Sequence, residues 1–311
     1  MRAHEETKAV QAAADAAGLT RWRVGEVTVT KVAELALDMF TPATLFPDWE
    51  PGILERETDW LSPRSMDAGR VHALMSVHSW VLTSPRHTIV IDTGVGNHKP
   101  RPHTPMFDRL ATGYPARLRA AGAAPGTVDH VLLTHLHVDH VGWNTRLEGG
   151  RWVPTFPNAR YHFSAREQAY FTDPANHSAR NRTSFLVQPD SIAPVIEAGL
   201  ADMIAIDGRE VVAGLSFHPT PGHSVDHASI RLRSQGEEAW FVGDLLHHPI
   251  QVRHPDLNSV FDAFPEQARA SRRWALEQAA DGDAIVFTTH FPESSAGRVR
   301  RHGDGFRWTF L

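Results

Sequence analysis

The stretch THLHVDH, residues 134–140, places three histidines and one aspartate within six consecutive residues. It follows the apolar run VLL, which is typical of a short buried strand. The chain contains 20 histidines in 311 residues, so this spacing should arise by chance in roughly one such chain in two hundred. The stretch therefore predicts metal ligands in a loop after a strand, provided that the rest of the chain supplies partners.

The composition narrows the classes of protein that this chain can be. With 41% hydrophobic and 22% charged residues it is an ordinary globular sequence of one or two domains. The net charge of −5, without a block of like charge, argues against a nucleic-acid partner. No signal core and no apolar run of about 18 residues is visible, which favours a cytoplasmic location without a membrane partner.

The chain has no cysteine, which restricts the chemistry of any site. Disulfides, thiolate nucleophiles and cysteine-type zinc sites are excluded. Any metal must therefore be held by histidines and carboxylates.

The order of secondary-structure patterns predicts a layered α/β protein. The alanine-rich sequence over residues 4–17 predicts a helix, so we expect residues 1–20 to form an N-terminal helical arm that could support a homodimer. Residues 21–311 predict a single catalytic domain in which two β-sheets pack face to face with helices outside. Within it we expect loops over 38–52 and 172–190, a helix with a break over 104–122, a helix over 265–280, and a last strand in DAIVFTTH at 283–290.

Three further metal-capable residues each follow a strand-like segment. His223 comes after LSFHPT, Asp244 after AWFV, and His290 after AIVF. Because strand ends from one sheet edge converge, these distant residues can join the first cluster in one site. Asp92, in IDTG at 91–94, follows another strand; it either orients a ligand histidine or forms a turn before a glycine.

With these motifs in this order, the chain resembles a metallo-β-lactamase-fold hydrolase over roughly residues 22–300. The resemblance implies a four-layer αββα sandwich with two mixed β-sheets packed face to face and helices outside. It also implies two metal ions, the first held by three histidines, the second by one aspartate and two histidines, and both bridged by one aspartate. The ligands are, in that order, His135, His137 and His223; Asp139, His140 and His290; and Asp244.

The donor types suit two Zn²⁺ ions per chain, although Mn, Co or Fe would also accept them. Two metals about 3.5 to 4 Å apart would bridge a water and lower its pKa toward about 7, producing a hydroxide that attacks an ester bond. The catalytic candidates are then Asp139, Asp244 and His247. A serine nucleophile is not indicated, because the G-x-S-x-G motif is missing from the chain.

Within this superfamily the chain is most similar to the branch of N-acyl-homoserine lactonases and methyl parathion hydrolase, which share all seven ligands. Flavodiiron proteins replace a cluster histidine by a carboxylate, and many β-lactamases use a cysteine ligand. Many of the lactonases have a tyrosine three residues after the bridging aspartate, and here that position is His247. His247 either donates a proton or hydrogen bond to the substrate or serves in packing.

The sequence therefore predicts a dinuclear zinc-dependent hydrolase of a small-molecule lactone or related ester, in the N-acyl-homoserine lactone or organophosphate triester class. The alternatives are a carboxylesterase or β-lactam hydrolase of the same fold, and a non-hydrolytic metal-binding member. Aromatic residues of the loops and their surroundings either line an apolar substrate pocket or pack in the core: Phe40, Phe46, Trp49, Trp143 and Phe185. Other histidines are expected on the surface or satisfied in the core: His72, His78, His87, His98, His162, His177 and His302.

Overall fold

The computed structural model describes residues 19–303 and 305–311, so the helix predicted over residues 4–17 lies outside the described residues. These residues form sixteen strands: β1 (Arg21–Val24), β2 (Val27–Phe40), β3 (Ala73–Thr83), β4 (Thr88–Ile91), β5 (His130–Leu132), β6 (Thr145–Glu148), β7 (Arg151–Pro154), β8 (Arg160–Ser164), β9 (Ala201–Ile204), β10 (Glu210–Val212), β11 (Leu215–Pro219), β12 (Ala228–Ser234), β13 (Glu237–Phe241), β14 (Ile285–Phe287), β15 (Ala296–His302) and β16 (Gly305–Phe310).

The same described residues form eight α-helices, most of them one or two turns long. They are α1 (Pro42–Leu45), α2 (Ile53–Arg56), α3 (Tyr114–Ala120), α4 (Ala165–Thr172), α5 (Arg182–Leu186), α6 (Ala193–Glu197), α7 (Ile250–Arg253) and α8 (Pro265–Asp281). Short 3-10 turns and one π-helical turn, Gln188–Ile192, separate some of them. None of the helices in the described residues combines the length and the apolar character that crossing a membrane requires.

Most strands of the described chain belong to two seven-stranded sheets. The first has the order β1-β2-β3-β4-β5-β8-β9, and the second has the order β10-β11-β12-β13-β14-β15-β16; β6 and β7 form a separate hairpin. Both large sheets are mixed, since β4, β5, β8 and β9 pair in parallel in the first, and β13 and β14 pair in parallel in the second. The α/β class with two mixed sheets that the sequence predicts is therefore confirmed.

Contacts divide the described chain into two compact units. The first unit contains the described residues up to Glu34 together with His78–Ala205, and the second contains Leu35–Val77 together with Ile206–Leu311. The single catalytic domain expected over residues 21–311 stays a prediction.

In the first unit the parallel strands determine where the polar motifs lie. Val90, Val131 and Leu132 are fully buried, as expected of parallel strands covered on both faces. Because β4 and β5 run side by side in the same direction, their carboxyl ends meet at one edge. The IDTG segment and the THLHVDH segment, which follow these two strands, are thereby placed next to each other.

In the second unit the longest helix packs against the sheet. Helix α8 begins at Pro265, which is compatible with the first helical turn because proline lacks the N–H that is unsatisfied there. Its apolar face buries Ala268, Ala275, Leu276 and Ala279, and the last three join a core cluster with strand residues such as Trp240. This helix contacts the turn that contains Asp244, one of the predicted metal ligands.

Several elements differ from the sequence expectations. The predicted loop over 38–52 contains the end of β2 and helix α1. The helix predicted over 104–122 is confined to Tyr114–Ala120, with Gly113 as its N-cap and Pro115 in its first turn. The predicted irregular segment 172–190 contains α5 and part of the π-helical turn. The strand at 285–287 is not the last, because β15 and β16 form a further hairpin. Arginine-rich β15 has too little apolar alternation to be recognised as a strand.

A buried ionic cluster anchors the π-helical turn in the first unit. Arg101 is fully buried and donates two hydrogen bonds, 2.7 and 2.8 Å, to the carboxylate of Asp190. Lys99 is also fully buried; its Nζ donates to Thr145 Oγ1 (2.7 Å) and Asp190 O (2.9 Å) and lies 3.8 Å from the centre of the Trp152 ring. Burial lowers the pKa of Lys99 to about 7, although the charge of Asp190 opposes this shift. The cluster fixes the π-helical turn to the loop after β4.

Candidate metal centre

The predicted ligands fall into two sets, one in each compact unit. The first unit carries His135, His137, Asp139 and His140, and the second carries His223, Asp244 and His290 together with the predicted catalytic residue His247.

Backbone hydrogen bonds hold the first set's loop against the loop that follows β4. Thr93 N donates to His140 O (2.7 Å), and Gly142 N donates to Gly94 O (2.7 Å). The two backbones approach so closely that a Cβ on Gly142 would lie 1.8 Å from Val95 O. The position of the histidine cluster is therefore fixed by main-chain contacts.

A buried carboxylate supports the same pair of loops from β2. Glu34 accepts hydrogen bonds from Val95 N (2.6 Å), Gly96 N (3.3 Å) and Trp143 Nε1 (2.7 Å). Burial raises the pKa of Glu34, and these donors oppose the shift. Trp143 is itself buried and stacks on Tyr114 at 5.5 Å between ring centres. Of the two interpretations of Trp143, the structure supports core packing.

The four side chains of the first set lie close together. The ring centre of His135 is 4.4 Å from that of His137 and 4.1 Å from that of His140. His140 Nε2 lies 3.8 Å from Asp139 Oδ1. Such proximity of imidazoles and a carboxylate is typical of divalent metal ligands.

Asp92 orients the last histidine of this set. Its Oδ2 accepts a hydrogen bond from His140 Nδ1 (2.8 Å), while its Oδ1 and Oδ2 accept from Thr134 N and Oγ1 (2.8 and 2.9 Å). Bonding at Nδ1 leaves Nε2 as the nitrogen that can bind a metal. Asp92 also has a positive φ of 53°, and of its two interpretations the contact with the predicted ligand His140 is the one that the structure shows.

In the second set, three imidazoles surround the carboxylate of Asp244. The Nε2 atoms of His290, His223 and His247 lie 3.0, 3.2 and 3.5 Å from Asp244 Oδ2, and all four residues are buried. Asp244, His247 and His290 each offer one ligand atom, and these atoms lie within 4.8 Å of one another. The second unit thus brings its predicted ligands together around the predicted bridging residue.

The outer nitrogens of the two predicted ligand histidines in this set face oxygen acceptors. His290 Nδ1 lies 3.0 Å from the carbonyl oxygen of Ser76 on β3, and His223 Nδ1 lies 3.4 Å from Asp262 Oδ1. A histidine that donates its outer N–H to such an acceptor presents its other nitrogen to a metal. The donor set and its orientation therefore fit a divalent metal ion.

His227 supports Asp244 through the backbone. Its Nε2 accepts a hydrogen bond from Asp244 N (3.1 Å), and its Nδ1 lies 3.1 Å from Thr220 O. The Nε2 atom accepts, so Nδ1 carries the proton and donates to the carbonyl oxygen. His227 is thus a neutral, fully buried histidine that holds the start of the Asp244 turn.

His247 is buried among the second set. Only 1% of its surface is exposed, and its ring stacks on that of His290 at 5.3 Å with an angle of 11°. Phe261 packs on it at 5.6 Å. Burial lowers the pKa of His247, while the hydrogen bond and charge of Asp244 oppose the shift. His247 therefore lies against two predicted ligands and an aromatic side chain.

Two buried charged residues beside the second set, Asp262 and Arg272, were not among the residues predicted from the sequence. The guanidinium of Arg272 is fully buried; its Nη2 donates to Asp262 Oδ2 (2.8 Å) and its Nε to Leu245 O (2.9 Å). Burial opposes ionisation of Asp262, but the hydrogen bond from His223 and the charge of Arg272 outweigh it and lower the pKa of Asp262 to about 2. Neither residue stands in a motif or at the end of a strand, so no sequence signal marked them.

The remaining aromatic candidates divide into core and half-buried residues. Phe46 is 1% exposed and packs on Trp49 and His248, so it belongs to the core of the second unit. Phe40 and Phe185 are only partly buried and stay candidates for a pocket lining. Among the histidines expected to be satisfied elsewhere, His72 bonds Asp67 and His162 bonds Asp202, both at 2.9 Å.

Comparisons with known proteins identify related folds. A family model described as the Metallo-beta-lactamase superfamily matches residues 73–290, which is more than half of the chain. Curated protein sequences give no match.

Solved structures match almost the whole chain. The hydrolase AbOPH of the beta lactamase superfamily has a TM-score of 0.78 and 23% identity, covering 94% of this chain and 97% of its own. AidC, a dizinc quorum-quenching lactonase solved with a product, has a TM-score of 0.73 and 21% identity over the same shares, 94% and 97%. A probable metal-dependent hydrolase from Staphylococcus aureus has a TM-score of 0.74 and 19% identity over 93% and 99%. At these identities the likeness shows the fold, and the predicted fold class is confirmed.

Proposed function

The chain belongs to the metallo-beta-lactamase superfamily, and from that premise we propose that it is a dinuclear zinc-dependent hydrolase of lactones or related esters. The observation that carries the proposal is the Asp244 carboxylate, which three imidazole nitrogens approach within 3.5 Å. Burying four ionisable groups side by side costs free energy, which a bound divalent ion would offset.

We assign the ligands as the family pattern places them. By that pattern, His135, His137 and His223 would hold one metal, Asp139, His140 and His290 would hold the second, and Asp244 would be shared by both. The intra-unit contacts of Asp92 with His140 and of Ser76 with His290 support this assignment, because each leaves the Nε2 atom for the metal.

Two bound divalent ions would supply an acidified water as nucleophile and polarise the carbonyl or phosphoryl oxygen of the substrate. The protein's own residues orient the ligands and shape the site. Asp92 and Ser76 fix two ligand rings, and the main-chain contacts of the 92–96 loop hold the cluster in place. We propose that His247 would donate a hydrogen bond to the substrate oxygen. Its contacts with Asp244 and His290 support this role.

The proposed substrate is a small molecule with an acyl or aryl group next to the ester. AidC is described as a quorum-quenching lactonase in complex with an N-acyl-homoserine product, which supports an N-acyl-homoserine lactone as substrate. AbOPH is described only as a hydrolase, and an organophosphate triester is the second substrate class that we propose. A carboxylesterase or β-lactam hydrolase of the same fold, and a non-hydrolytic metal-binding protein, are the alternatives that the test separates.

The test is elemental analysis of the purified protein followed by a hydrolysis panel. Acyl-homoserine lactones, organophosphate triesters, aryl esters and a chromogenic cephalosporin are offered with and without a chelator. We expect two metal atoms per chain and chelator-sensitive turnover of a lactone or triester. Hydrolysis confined to aryl esters or to the cephalosporin would indicate a carboxylesterase or a β-lactam hydrolase. Two bound metals without any turnover would indicate a non-hydrolytic metal-binding protein.

A pair of aspartate variants locates the activity. Asp244→Ala should abolish turnover, because it removes the proposed bridge. Asp256→Ala is the matched control, because that carboxylate is exposed and paired with Arg273 at 2.6 Å. Wild-type turnover in Asp244→Ala would refute the assignment.

A further inference from the structure

We propose that Asp262 is a positioning residue for the metal ligand His223, and that the buried guanidinium of Arg272 holds Asp262 in place. The inference rests on the proposed function, because it assumes that His223 binds a metal. It adds a residue pair that lies outside the motifs of the seven ligands.

The contacts of Asp262 come from three separate segments. Oδ2 accepts from Arg272 Nη2 on α8 (2.8 Å) and from Ser259 N in its own turn (2.9 Å), while Oδ1 faces His223 Nδ1 at 3.4 Å. Asp262 is 2% exposed and Arg272 is fully buried. A carboxylate fixed at one oxygen by a buried cation has its other oxygen aimed in one direction, toward His223.

Arg272 also binds the segment that carries Asp244. Its Nε donates to Leu245 O (2.9 Å) and its Nη1 to Pro255 O (2.8 Å). A single guanidinium therefore connects the turn after Asp244 with the turn that ends in Asp262. The rigid fork of arginine suits this role, because its donors have fixed relative directions.

The contact determines which nitrogen of His223 carries the proton. A carboxylate oxygen only accepts hydrogen bonds, so Asp262 favours the imidazole form with the proton on Nδ1. Nε2, which lies 3.2 Å from Asp244 Oδ2, is then the nitrogen with a lone pair. This is the orientation that a metal ligand requires, and such outer partners typically contribute about 10- to 100-fold to metal affinity.

Asp262 could instead be a metal ligand itself, since His223, His247 and Asp262 offer ligand atoms within 4.8 Å of one another. The guanidinium of Arg272, 2.8 Å from Asp262, disfavours a second cation on the same carboxylate. The geometry therefore assigns Asp262 to orientation of His223.

The decisive variant is Asp262→Asn, which keeps the shape and removes the charge. Arg272 and Ser259 N both donate, so they select the amide oxygen, and the amide nitrogen is left facing His223 Nδ1. His223 must then accept at Nδ1 and carry its proton on Nε2. An amide in place of an orienting carboxylate selects the wrong imidazole form in this way in other enzymes.

Two readouts test the proposal in the full-length protein. Nitrogen–proton NMR of the metal-free protein reports the protonated nitrogen of His223, assigned by loss of its signals in His223→Gln. Competition with a chromophoric chelator reports Zn²⁺ affinity. In Asp262→Asn we expect the proton of His223 to move to Nε2 and one Zn²⁺ to bind about 10- to 100-fold more weakly, with the number of bound metals at saturating zinc unchanged.

The matched control is Asp256→Asn, which makes the same change in an exposed pair with Arg273. Wild-type His223 protonation and zinc affinity in Asp262→Asn would overturn the proposal, and loss of one metal even at saturating zinc would show that Asp262 is a ligand. If Asp262→Asn fails to fold, the double variant Asp262→Leu/Arg272→Met removes both charges together and should show the same weakened zinc site. If the wild type binds no zinc, the proposed function fails, while the NMR comparison still tests the contact of Asp262 with His223.

Discussion

At the scale of single residues, the candidate centre depends on how each histidine uses its two ring nitrogens. His140 and His290 present Nδ1 to an oxygen acceptor within 3.0 Å. His227 differs, because its Nε2 accepts a hydrogen bond from the backbone N–H of Asp244 and is therefore occupied by a contact within the protein. Residue type alone does not separate the predicted ligands from a supporting histidine such as His227, whereas the hydrogen-bond partner of each ring nitrogen distinguishes them.

Replacement of His247 tests its role at the substrate. We expect His247→Phe to lower kcat by about 100-fold or more, since a positioned acid or hydrogen-bond donor contributes at least that much. Metal content should stay at the wild-type value, because His247 is not one of the proposed ligands. The measurement is steady-state kinetics on the best substrate of the panel together with elemental analysis.

The control for His247 is His72→Phe, a partly exposed histidine that pairs with Asp67. It should leave kcat and metal content unchanged. If His247→Phe retains wild-type kcat, the packing interpretation of His247 is correct.

Removal of the partner of His140 tests the first set of ligands. Asp92→Ala deletes the acceptor of the His140 Nδ1 hydrogen bond (2.8 Å), and we expect Zn²⁺ affinity to fall about 10- to 100-fold. Chelator competition measures the effect. Affinity equal to that of the wild type would show that Asp92 does not orient His140 for a metal.

At the scale of elements, close main-chain packing fixes the loop of the first set. Gly142→Ala would place a Cβ 1.8 Å from Val95 O, and neither backbone can move without breaking the hydrogen bonds between the two loops. We expect the free energy of unfolding to fall by about 3 kcal/mol, the upper range for steric overpacking. Urea denaturation measures it.

Gly126→Ala is the matched control, because an added Cβ there meets no atom within 4 Å. Its free energy of unfolding should stay within about 0.5 kcal/mol of the wild type. Equal stability of the two variants would mean that the two loops separate easily.

The elements also show what the sequence can and cannot predict. Strand β5 and its loop were predictable because an apolar run and a contiguous motif lie within a dozen residues. The helix at 265–280 was predictable because its length and Pro265 mark it locally, and α8 spans Pro265–Asp281. The β15–β16 hairpin was missed because exposed arginines replace the apolar alternation on which strand prediction depends.

The site shows the same division between local and tertiary information. His223, Asp244 and His290 follow strands, so their sequence context marked them. Asp262 and Arg272 were missed because their pairing depends on a tertiary contact between a turn and a helix, which no local sequence pattern indicates. Trp143 lies next to the THLHVDH motif in sequence, but its indole N–H donates to Glu34, which is 109 residues away along the chain.

At the scale of the whole molecule, buried neutral histidines make stability depend on pH. His248 is 1% exposed, and burial lowers its pKa to about 4 despite the hydrogen bond with Ser65 O. When the pH is below 6.5, the ordinary pKa of histidine, this residue is protonated in the unfolded chain but stays neutral in the folded chain until the pH approaches 4. Stability from this group is therefore full above pH 6.5 and is lost as the pH falls toward 4, by about 3 kcal/mol at 1.36 kcal/mol per pKa unit.

Urea denaturation at pH 7 and at pH 4.5 checks this expectation. The variant His248→Gln keeps an N–H donor for Ser65 O and has no titrating ring, so its stability should fall less between the two pH values. An identical fall in the variant and the wild type would assign the acid sensitivity to other groups.

Metal binding should also stabilise the folded chain as a whole. An ion that binds the native state and not the unfolded chain adds about 2.7 kcal/mol when its concentration is 100 times Kd. We expect a chelator to lower the Tm, and excess Zn²⁺ to restore it. An unchanged Tm, measured by calorimetry, would contradict tight binding to the folded state.

The buried ionic cluster of the first unit has a consequence for chemical labelling. Lysine occurs only at positions 8, 31 and 99, and Lys99 lies fully buried beneath the ring of Trp152. Burial, which lowers its pKa to about 7, favours the neutral and nucleophilic form of the amine, but an acylating reagent reaches it only when the surrounding structure opens. The rate of acylation at Lys99, measured by peptide mass spectrometry, therefore reports how often the segment that Asp190 anchors opens.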